Sequence, residues 1–239
     1  MEYSETSQIL TLFAREHGVL RVIAKGAHRR TKAGASKFDG GVDLLDLGEA
    51  VFSHAPERDL PPLTEWHLCD GHLELRRELR CIHLGLYCAE LVTLLFEEHD
   101  PHPQLFDRLE QSLIELASPR REEAFLSFQL DVLREGGYLP EFDACASCGG
   151  RLDDRRIAFS ARHSGLVCRN CEGVSPDRME IDARLIRLMQ TILRLPRSNG
   201  TRQRLPQLTR HQTDPLNRLL AEHLQQTLSR RLRMVEYVV

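Results

Sequence analysis

Four cysteines in two closely spaced pairs constrain this chain more than any other feature of its sequence. Two residues separate Cys145 from Cys148, two separate Cys168 from Cys171, and nineteen residues lie between the pairs. Two C-x2-C pairs supply the four thiolates of a tetrahedral zinc site. The sequence therefore predicts one structural Zn²⁺ ion held by these four residues.

Other uses of these cysteines are less compatible with the pattern. Four unligated thiols or a redox pair are alternatives, although a redox pair needs no second C-x2-C. Zinc deaminases combine H-x-E with a proline directly before C-x-x-C; His72 and Glu74 form an H-x-E here, but Ala144 precedes the first cysteine. Four thiolates also leave no open position for a reacting water. We expect a structural metal, and we do not expect an enzyme.

The remaining cysteines do not suggest a disulfide framework. The total of seven is odd, and Cys81 and Cys88 lie seven residues apart within an apolar helical pattern. Small core residues are the simplest interpretation of that pair. Cys69 has no partner in the sequence pattern. No function is assigned to these three.

The hydrophobic pattern changes from a strand period to a helix period near residue 60. Strands are expected over residues 9–14 and 19–25, and residues 42–47 and 49–52 suggest one or two more. Prolines 56, 61 and 62 predict a linker. The sequence thus predicts an α+β multidomain chain. Its expected parts are a β-domain over 1–60, a helical domain over 61–142, a four-cysteine zinc module over 143–174 and the rest of the helical domain over 175–239.

Five helices are expected in the helical parts, because apolar residues recur there at three- and four-residue intervals. Pro176 is expected to open the fourth helix, and Asp214 with Pro215 to begin the fifth. The expected apolar faces cover residues 84–95, 106–116, 125–133, 181–195 and 216–228.

The net charge of −3, from 32 basic and 35 acidic residues, conceals a segregated distribution. Residues 15–37 contain seven basic residues and one acidic residue, a net +6, so the remaining chain carries −9. Such a patch beside a short β-domain is typical of a surface that binds a phosphate backbone, although a solvated loop is the alternative. The candidate DNA contacts are Arg21, Lys25, Arg29, Arg30, Lys32 and Lys37.

Two further basic stretches lie nearer the end of the chain. A loop-like segment contains Arg197, Arg202 and Arg204 and no acidic residue, and these are candidates for a secondary DNA contact. The second stretch, residues 230–233, lies near the end of the last expected helix. Cations there complement the helix dipole, which is a sufficient structural explanation.

Several segments, in their order along the chain, resemble the RecO family of bacterial recombination mediators. Residues 3–9 (YSETSQI) with 16–18 (EHG) resemble the opening of that family, and residues 24–29 (AKGAHR) resemble its A-K-G-A-R-R signature. Residues 125–140, which end in EGGYLP, resemble the segment before the family's zinc knuckles. Residues 159–168 fit the second knuckle.

The resemblance implies an N-terminal OB-fold, a helical domain with an inserted zinc ribbon, and no enzymatic turnover. It implies a cytoplasmic, nucleoid-associated protein of double-strand-break and gap repair that binds single- and double-stranded DNA and anneals strands. Lys25 and Arg29 of the signature would contact DNA. Implied partners are RecR, sometimes RecF, the single-stranded-DNA-binding protein SSB, and RecA, which RecO proteins help to load onto SSB-coated strands. Arg120, Arg121 and Arg134 are candidates for receiving the acidic SSB tail.

The chain departs from the family pattern at two points. It begins at Met1 almost on the opening motif, so the first strand of the barrel is expected to be missing, which would leave an open sheet edge. His28 stands where the signature often has arginine.

The competing hypothesis, of a different class, is a zinc-ribbon scaffold that binds proteins but no DNA. No apolar run of the length needed to cross a membrane and no signal peptide is found in the sequence.

Overall fold

The computed structural model contains two compact units, Met1–Ala117 and Ser118–Val239. The structure describes residues 2–4, 7–26, 38, 41–53, 60–152, 157–173, 175–195, 197–198, 201–202 and 207–239. The first unit is rich in strands, and the second is mostly helical and contains the four paired cysteines. The predicted α+β class, with strands first and a four-cysteine insertion in the helical part, is confirmed at this level.

Five strands form the sheet of the first unit. They follow the order β1-β2-β3-β5-β4, in which every pair is antiparallel except β3–β5. The short β1 pairs with β2 at the edge that the sequence analysis leaves open, and among the described residues no pairing closes β1 onto β4. The strands are β1 (Glu2–Ser4), β2 (Ser7–Ala14), β3 (Gly18–Lys25), β4 (Leu47–Phe52) and β5 (Pro62–Asp70).

The central strand β3 separates its residues between two faces, because successive side chains of a strand point to opposite sides. Leu20, Val22 and Ala24 enter an apolar core that also contains Leu63 and Trp66. Arg21 and Lys25 are exposed on the other face, as the alternation in the sequence predicts.

The linker predicted at prolines 61 and 62 is wrong, because Pro62 begins strand β5. Proline cannot donate to a sheet, but it is tolerated at the first position of a strand. Here both carbonyls accept instead: Ile23 N–H donates to Pro61 O and Ser53 N–H donates to Pro62 O, each at 3.1 Å. Pro56 lies outside the described residues.

The predicted strand over residues 42–47 is mostly a turn. Asp43 N–H donates to the Asp46 carboxylate at 2.8 Å, and Asp residues favour such turns because their side chains bond to nearby backbone. Arg76 fixes this turn through bonds to the Asp43 carboxylate (3.0 Å), the Asp46 carboxylate (2.9 Å) and the Leu44 carbonyl (2.7 Å). The strand β4 therefore begins only at Leu47.

Two helices complete the first unit, namely α1 (Leu79–Leu95) and α2 (Pro103–Leu116). Pro103 occupies the first turn of α2, where its missing N–H has no cost. Gly85 brings α1 close to its neighbours: a Cβ there would lie 3.2 Å from a methyl carbon of Leu113. Phe106 of α2 contacts Phe13 of β2, with ring centroids 5.9 Å apart. The predicted face of α1 is buried, whereas in α2 the predicted Phe106 and Leu109 are half-buried and Leu105 is buried instead.

One helix of the second unit, α3, is buried along most of its length and packs against α6. Every residue of α3 from Glu122 to Leu133 is buried. Gln129 Nε2 of α3 donates to Asn217 Oδ1 of α6 at 2.8 Å, a hydrogen bond between two buried amides that joins these helices. The helices are α3 (Arg121–Glu135), α4 (Arg169–Glu172), α5 (Ala183–Arg194), α6 (Arg210–Leu228) and α7 (Val235–Val238).

Two predicted helix starts are corrected. The fourth expected helix does not begin at Pro176: α5 begins at Ala183, where the Asp182 carboxylate caps the backbone N–H of Arg184 at 2.7 Å. The last does not begin at Asp214, because Thr209 and Gln212 form a capping box one turn earlier, and Pro215 lies inside α6. In both cases a side-chain cap outweighs the proline signal.

His223 of α6 is buried and gives the second unit a predicted dependence on pH. Its Nε2 lies 2.8 Å from the Tyr138 carbonyl, and its ring meets the Phe159 ring edge-on. Burial lowers the pKa of His223, an effect that the hydrogen bond to Tyr138 only partly offsets. The folded state therefore resists protonation, so stability present above the ordinary histidine pKa of about 6.5 is lost as the pH falls below it.

We expect the His223→Gln variant to lose this part of the pH dependence. Urea unfolding at pH 7.5 and pH 5.5 measures it: the parent chain should lose up to about 1.4 kcal/mol more over each acidic pH unit than the variant. Contributions from other groups are common to both chains and cancel in the comparison. Equal pH dependence in the two proteins would contradict the assignment.

Candidate metal centre and nucleic-acid interface

The paired cysteines belong to a small module built on a three-stranded sheet. Its order is β7-β6-β8, with β6 between two antiparallel neighbours. The first cysteine pair precedes β6, and the second lies at the start of α4. The strands are β6 (Ile157–Ser160), β7 (Gly165–Val167) and β8 (Met179–Ile181).

The four sulfur atoms of Cys145, Cys148, Cys168 and Cys171 converge on one point. All lie within 4.8 Å of one another, and Cys148 Sγ is 3.8 Å from Cys168 Sγ. Tetrahedral Zn–S bonds of about 2.3 Å place sulfur atoms about 3.8 Å apart. The four cysteines could therefore hold one metal ion, and their geometry fits a four-thiolate site.

Backbone hydrogen bonds shape each cysteine pair. The N–H of Gly149 donates to Cys145 O at 2.8 Å, and Cys145 N–H donates to Gly150 O at 2.9 Å. Gly149 has φ +71°, a conformation that glycine adopts without steric cost. In the second pair, Cys171 N–H donates to Cys168 O at 3.0 Å.

Cys145 is the most deeply buried of the four cysteines. It packs with Ala158 and Val167 and is 2% exposed. Burial raises its pKa, but the backbone N–H groups of Cys168, Cys148 and Ser147 outweigh burial and lower the pKa to about 6. The Cys168 N–H lies 3.3 Å from the sulfur. A lowered thiol pKa favours metal binding, because only the thiolate is a ligand.

A polar network that the sequence analysis missed supports this module. The Asp177 carboxylate accepts bonds from Ser160 Oγ (3.0 Å) and Arg162 N–H (2.9 Å), and Ser160 also contacts His163. Burial raises the pKa of Asp177, but these hydrogen bonds outweigh it and lower the pKa. The residue types resemble a hydrolase triad, yet Ser160 is completely buried and donates to the carboxylate itself. The network therefore links the β6–β7 turn to the chain after the second cysteine pair.

The predicted DNA contacts fall into two groups. Arg21 and Lys25 are exposed on β3, and neither has an ion-pair partner among the residues that the structure describes. Arg197 and Arg202 lie in a two-stranded ladder, β9 (Arg197–Ser198) with β10 (Thr201–Arg202), whose register pairs them. The predicted contacts Arg29, Arg30, Lys32, Lys37 and Arg204, and also His28, lie outside the described residues.

Other arginines already have partners. Arg15, which contributes to the +6 window, forms a two-bond ion pair with Asp107 at 2.8 and 3.1 Å. Of the candidates for the SSB tail, Arg120 lies 3.7 Å from the Glu123 carboxylate, and Arg121 donates to Ser118 O at 3.3 Å. The third, Arg134, donates to Leu193 O at 3.1 Å. The usable positive charge of the N-terminal window is therefore smaller than the sequence sum.

The exposed sheet surface changes sign between its strands. Arg21 and Lys25 are exposed on β3. Glu49 and Glu65 are exposed on β4 and β5, toward the β4 edge of the sheet. In the order β3-β5-β4, Glu49 of β4 is separated from β3 by one strand, whereas Glu65 lies on the strand next to β3. An anion is attracted to the β3 side and repelled by the β4 side.

Comparisons with known proteins assign the family. The sequence model of the family "Recombination protein O N terminal" matches residues 1–72, and that of "Recombination protein O C terminal" matches residues 76–235. The chain belongs to the RecO family. Its role is accordingly in DNA repair and recombination, and RecO proteins are recombination mediators, not enzymes.

Proteins named DNA repair protein RecO are similar along much or all of the chain. The one from Myxococcus xanthus is 29% identical over 240 residues, which cover 100% of this chain and 92% of the relative. The one from Anaeromyxobacter dehalogenans is 32% identical over 77% of this chain and 71% of the relative. Among the described residues, no helix has the length and apolarity that a membrane span requires.

Proposed function

We propose that this RecO-family chain binds single- and double-stranded DNA without sequence preference and anneals complementary strands. With RecR, it would help to load RecA onto strands coated with SSB, in double-strand-break and gap repair, and RecF is a further candidate partner. The proposed place of action is the nucleoid, in the cytoplasm.

The observation that carries the DNA proposal is the two exposed cations of β3, which have no ion-pair partner among the residues that the structure describes. Arg21 and Lys25 project from a strand whose other side lies in the apolar core, so the backbone beneath them is rigid. Cations on such a surface bind phosphates and release counterions, which gives affinity that depends on salt and not on base sequence. The acidic Glu49 lies on β4, one strand away from β3, so the DNA backbone is expected to bind on the β3 side of the sheet.

Substitution of both β3 cations should weaken DNA binding and flatten its salt dependence. We expect the Arg21→Ala/Lys25→Ala variant to bind labelled single-stranded DNA more weakly on every sequence. The slope of log affinity against log salt should fall by about 0.7 for each phosphate that the variant no longer binds. Fluorescence anisotropy at several salt concentrations measures both.

The matched control removes two cations of the same unit that already have partners. Arg15 pairs with Asp107, and Arg77 pairs with Glu74 at 2.8 Å. The Arg15→Ala/Arg77→Ala variant loses the same charge and should keep the parental slope. If the two variants behave alike, the DNA-binding residues are misassigned. If the parent chain does not bind DNA even at low salt, the zinc-ribbon scaffold is favoured.

We propose that the metal is one structural Zn²⁺ ion held by Cys145, Cys148, Cys168 and Cys171. Four thiolates at tetrahedral spacing suit zinc, which has no geometric preference of its own and binds sulfur well. The ion would fix both cysteine pairs and supply folding energy, and with a full shell of protein ligands it would perform no chemistry on a substrate. Elemental analysis of the purified chain tests its identity.

The proposal that RecR and SSB are partners is supported by membership of the family alone. Retention of purified RecR, and of SSB with and without its C-terminal tail, on the immobilised chain tests them directly. Weaker retention of tail-less SSB is expected. Because Arg120, Arg121 and Arg134 all have partners within the chain, the tail would have to compete for them.

A further inference from the structure

One face of α5 carries a row of exposed arginines that no sequence motif singles out. Arg184, Arg187 and Arg194 are exposed, at helical spacings of three and seven residues, while Ile186, Met189 and Ile192 are buried on the opposite face. Residues three, seven and ten apart share one side of an α-helix. Arg184 and Arg187 have no ion-pair partner in the part of the chain that the structure describes.

The metal module supplies the other wall of a groove beside this helix. Arg151, between the two cysteine pairs, and Arg187 of α5 both line a cavity of about 220 Å³, whose lining also includes Leu152, Ile186 and Asp143. Arg151 is exposed and likewise has no ion-pair partner within the described residues. Cations from the module and from the helix therefore face the same space.

The segment that leads into the first cysteine pair is held against α5. Gln190 donates to the Phe142 carbonyl at 2.6 Å, and Arg194 pairs with the Asp143 carboxylate at 2.6 Å. These bonds lie only two or three residues before Cys145. The position of Arg151 on the metal-module side of the groove therefore depends on the fold around the four cysteines.

The sequence around α5 is depleted of negative charge. Residues 183–213 contain seven arginines and no acidic residue. The acidic residues adjoining the row are Asp143, which pairs with Arg194, and Asp182 and Glu180 before the helix; Asp182 caps its first turn. Beyond the helix, the β9–β10 register adds Arg197 and Arg202.

We propose that the α5 face and Arg151 form a second surface for a nucleic-acid backbone, one whose shape depends on the bound metal. This inference rests on the proposed DNA-binding function and extends it to a second site, in a different unit from β3. The row from Arg184 to Arg194 is about 15 Å long, since each helical residue rises about 1.5 Å. That length spans several phosphates of one strand, and the contacts are sequence-independent.

A strand-pairing protein gains from two such surfaces. A single surface concentrates one strand, whereas a surface in each unit lets one chain hold two. Substitutions on α5 should therefore reduce annealing more than they reduce binding of an isolated strand, because β3 still binds that strand.

The test compares Arg184→Ala/Arg187→Ala with the control Arg218→Ala/Arg230→Ala, which removes two exposed arginines that lie outside the row in the same unit. Binding of labelled single-stranded DNA and annealing of two complementary strands are measured across a salt series. The α5 variant should lose most of the annealing rate and a smaller part of its single-strand affinity, with a salt slope that falls by at most about 0.7 per arginine. The control should match the parent, and metal content with circular dichroism verifies that both variants fold.

Removal of the metal provides a second readout. A chelator should reproduce the loss of slope and annealing in the parent and add little to the α5 variant. An α5 variant equal to the control overturns the inference. If it still binds DNA normally but loses binding to polyglutamate, the surface belongs to an acidic protein, which also overturns it. Should DNA binding be absent from the parent itself, the proposed function fails first, so the two failures are distinguishable.

Discussion

The Cys145→Ser variant is expected to lose its metal and several kcal/mol of stability in the second unit. Cys145 is the most buried of the four ligands, and its sulfur accepts the N–H of Cys168 at 3.3 Å. Binding of structural zinc to small thiolate sites contributes about 10–16 kcal/mol, and the helices of this unit retain their own core, so only part of that energy appears in the unfolding of the whole unit. Elemental analysis and urea unfolding measure the two effects.

The matched control is Cys69→Ser, because Cys69 is an exposed cysteine of β5 in the first unit. It should retain one metal ion per chain and the parental unfolding curve. A Cys145→Ser chain that still carries a full equivalent of metal would contradict the four-thiolate site. An unchanged unfolding curve after chelation of the parent would contradict a structural role.

The Gly18→Ala variant is expected to lose about 4 kcal/mol of stability in the first unit, the sum of a backbone and a packing cost. Gly18 begins β3 with φ +68°, and a Cβ there would overlap the backbone oxygen of Asp100. The backbone cannot rotate away as a side chain can. The neighbouring bond from His99 N–H to Val19 O, 3.0 Å long, would be disturbed as well.

Gly137 separates the two causes. It has φ +75°, and nothing lies within 4 Å of a Cβ placed there. The Gly137→Ala variant should therefore show the backbone cost alone, about 1–2 kcal/mol. Equal destabilisation of the two variants in thermal or urea unfolding would mean that the close approach to Asp100 has no effect.

Local patterns predicted the features that depend on neighbours in sequence. The spacing of the four cysteines predicted their convergence, and the alternation of β3 predicted which side of the sheet Arg21 and Lys25 occupy. The buried face of α1 followed from three- and four-residue periodicity, whereas α3 is buried on all sides and periodicity predicted only part of its burial. The strand and helix patterns depend on residues only a few positions apart. Two closely spaced cysteine pairs have few uses other than a shared metal site.

Features that depend on distant residues could not be predicted in this way. Nothing near Arg15 in sequence indicates that Asp107 would neutralise it, 92 positions away. The Asp177 network joins two segments of the chain, and the buried face of α5, which decides where its arginines lie, depends on residues outside the helix. Prolines misled three times. At Pro62 the carbonyl accepts a sheet hydrogen bond, and the caps at Asp182 and Thr209 fix the starts of α5 and α6 in place of Pro176 and Pro215.

The only tryptophan of the chain makes the two units spectroscopically distinguishable. Trp66 is 6% exposed in the β-sheet core, where its ring lies close to Gly48. Its intrinsic fluorescence reports the solvent exposure of the first unit alone, while thiolate-to-metal absorption of a cobalt-substituted sample would report the second. Melting curves followed by both signals would therefore reveal whether the two units unfold together or one after the other.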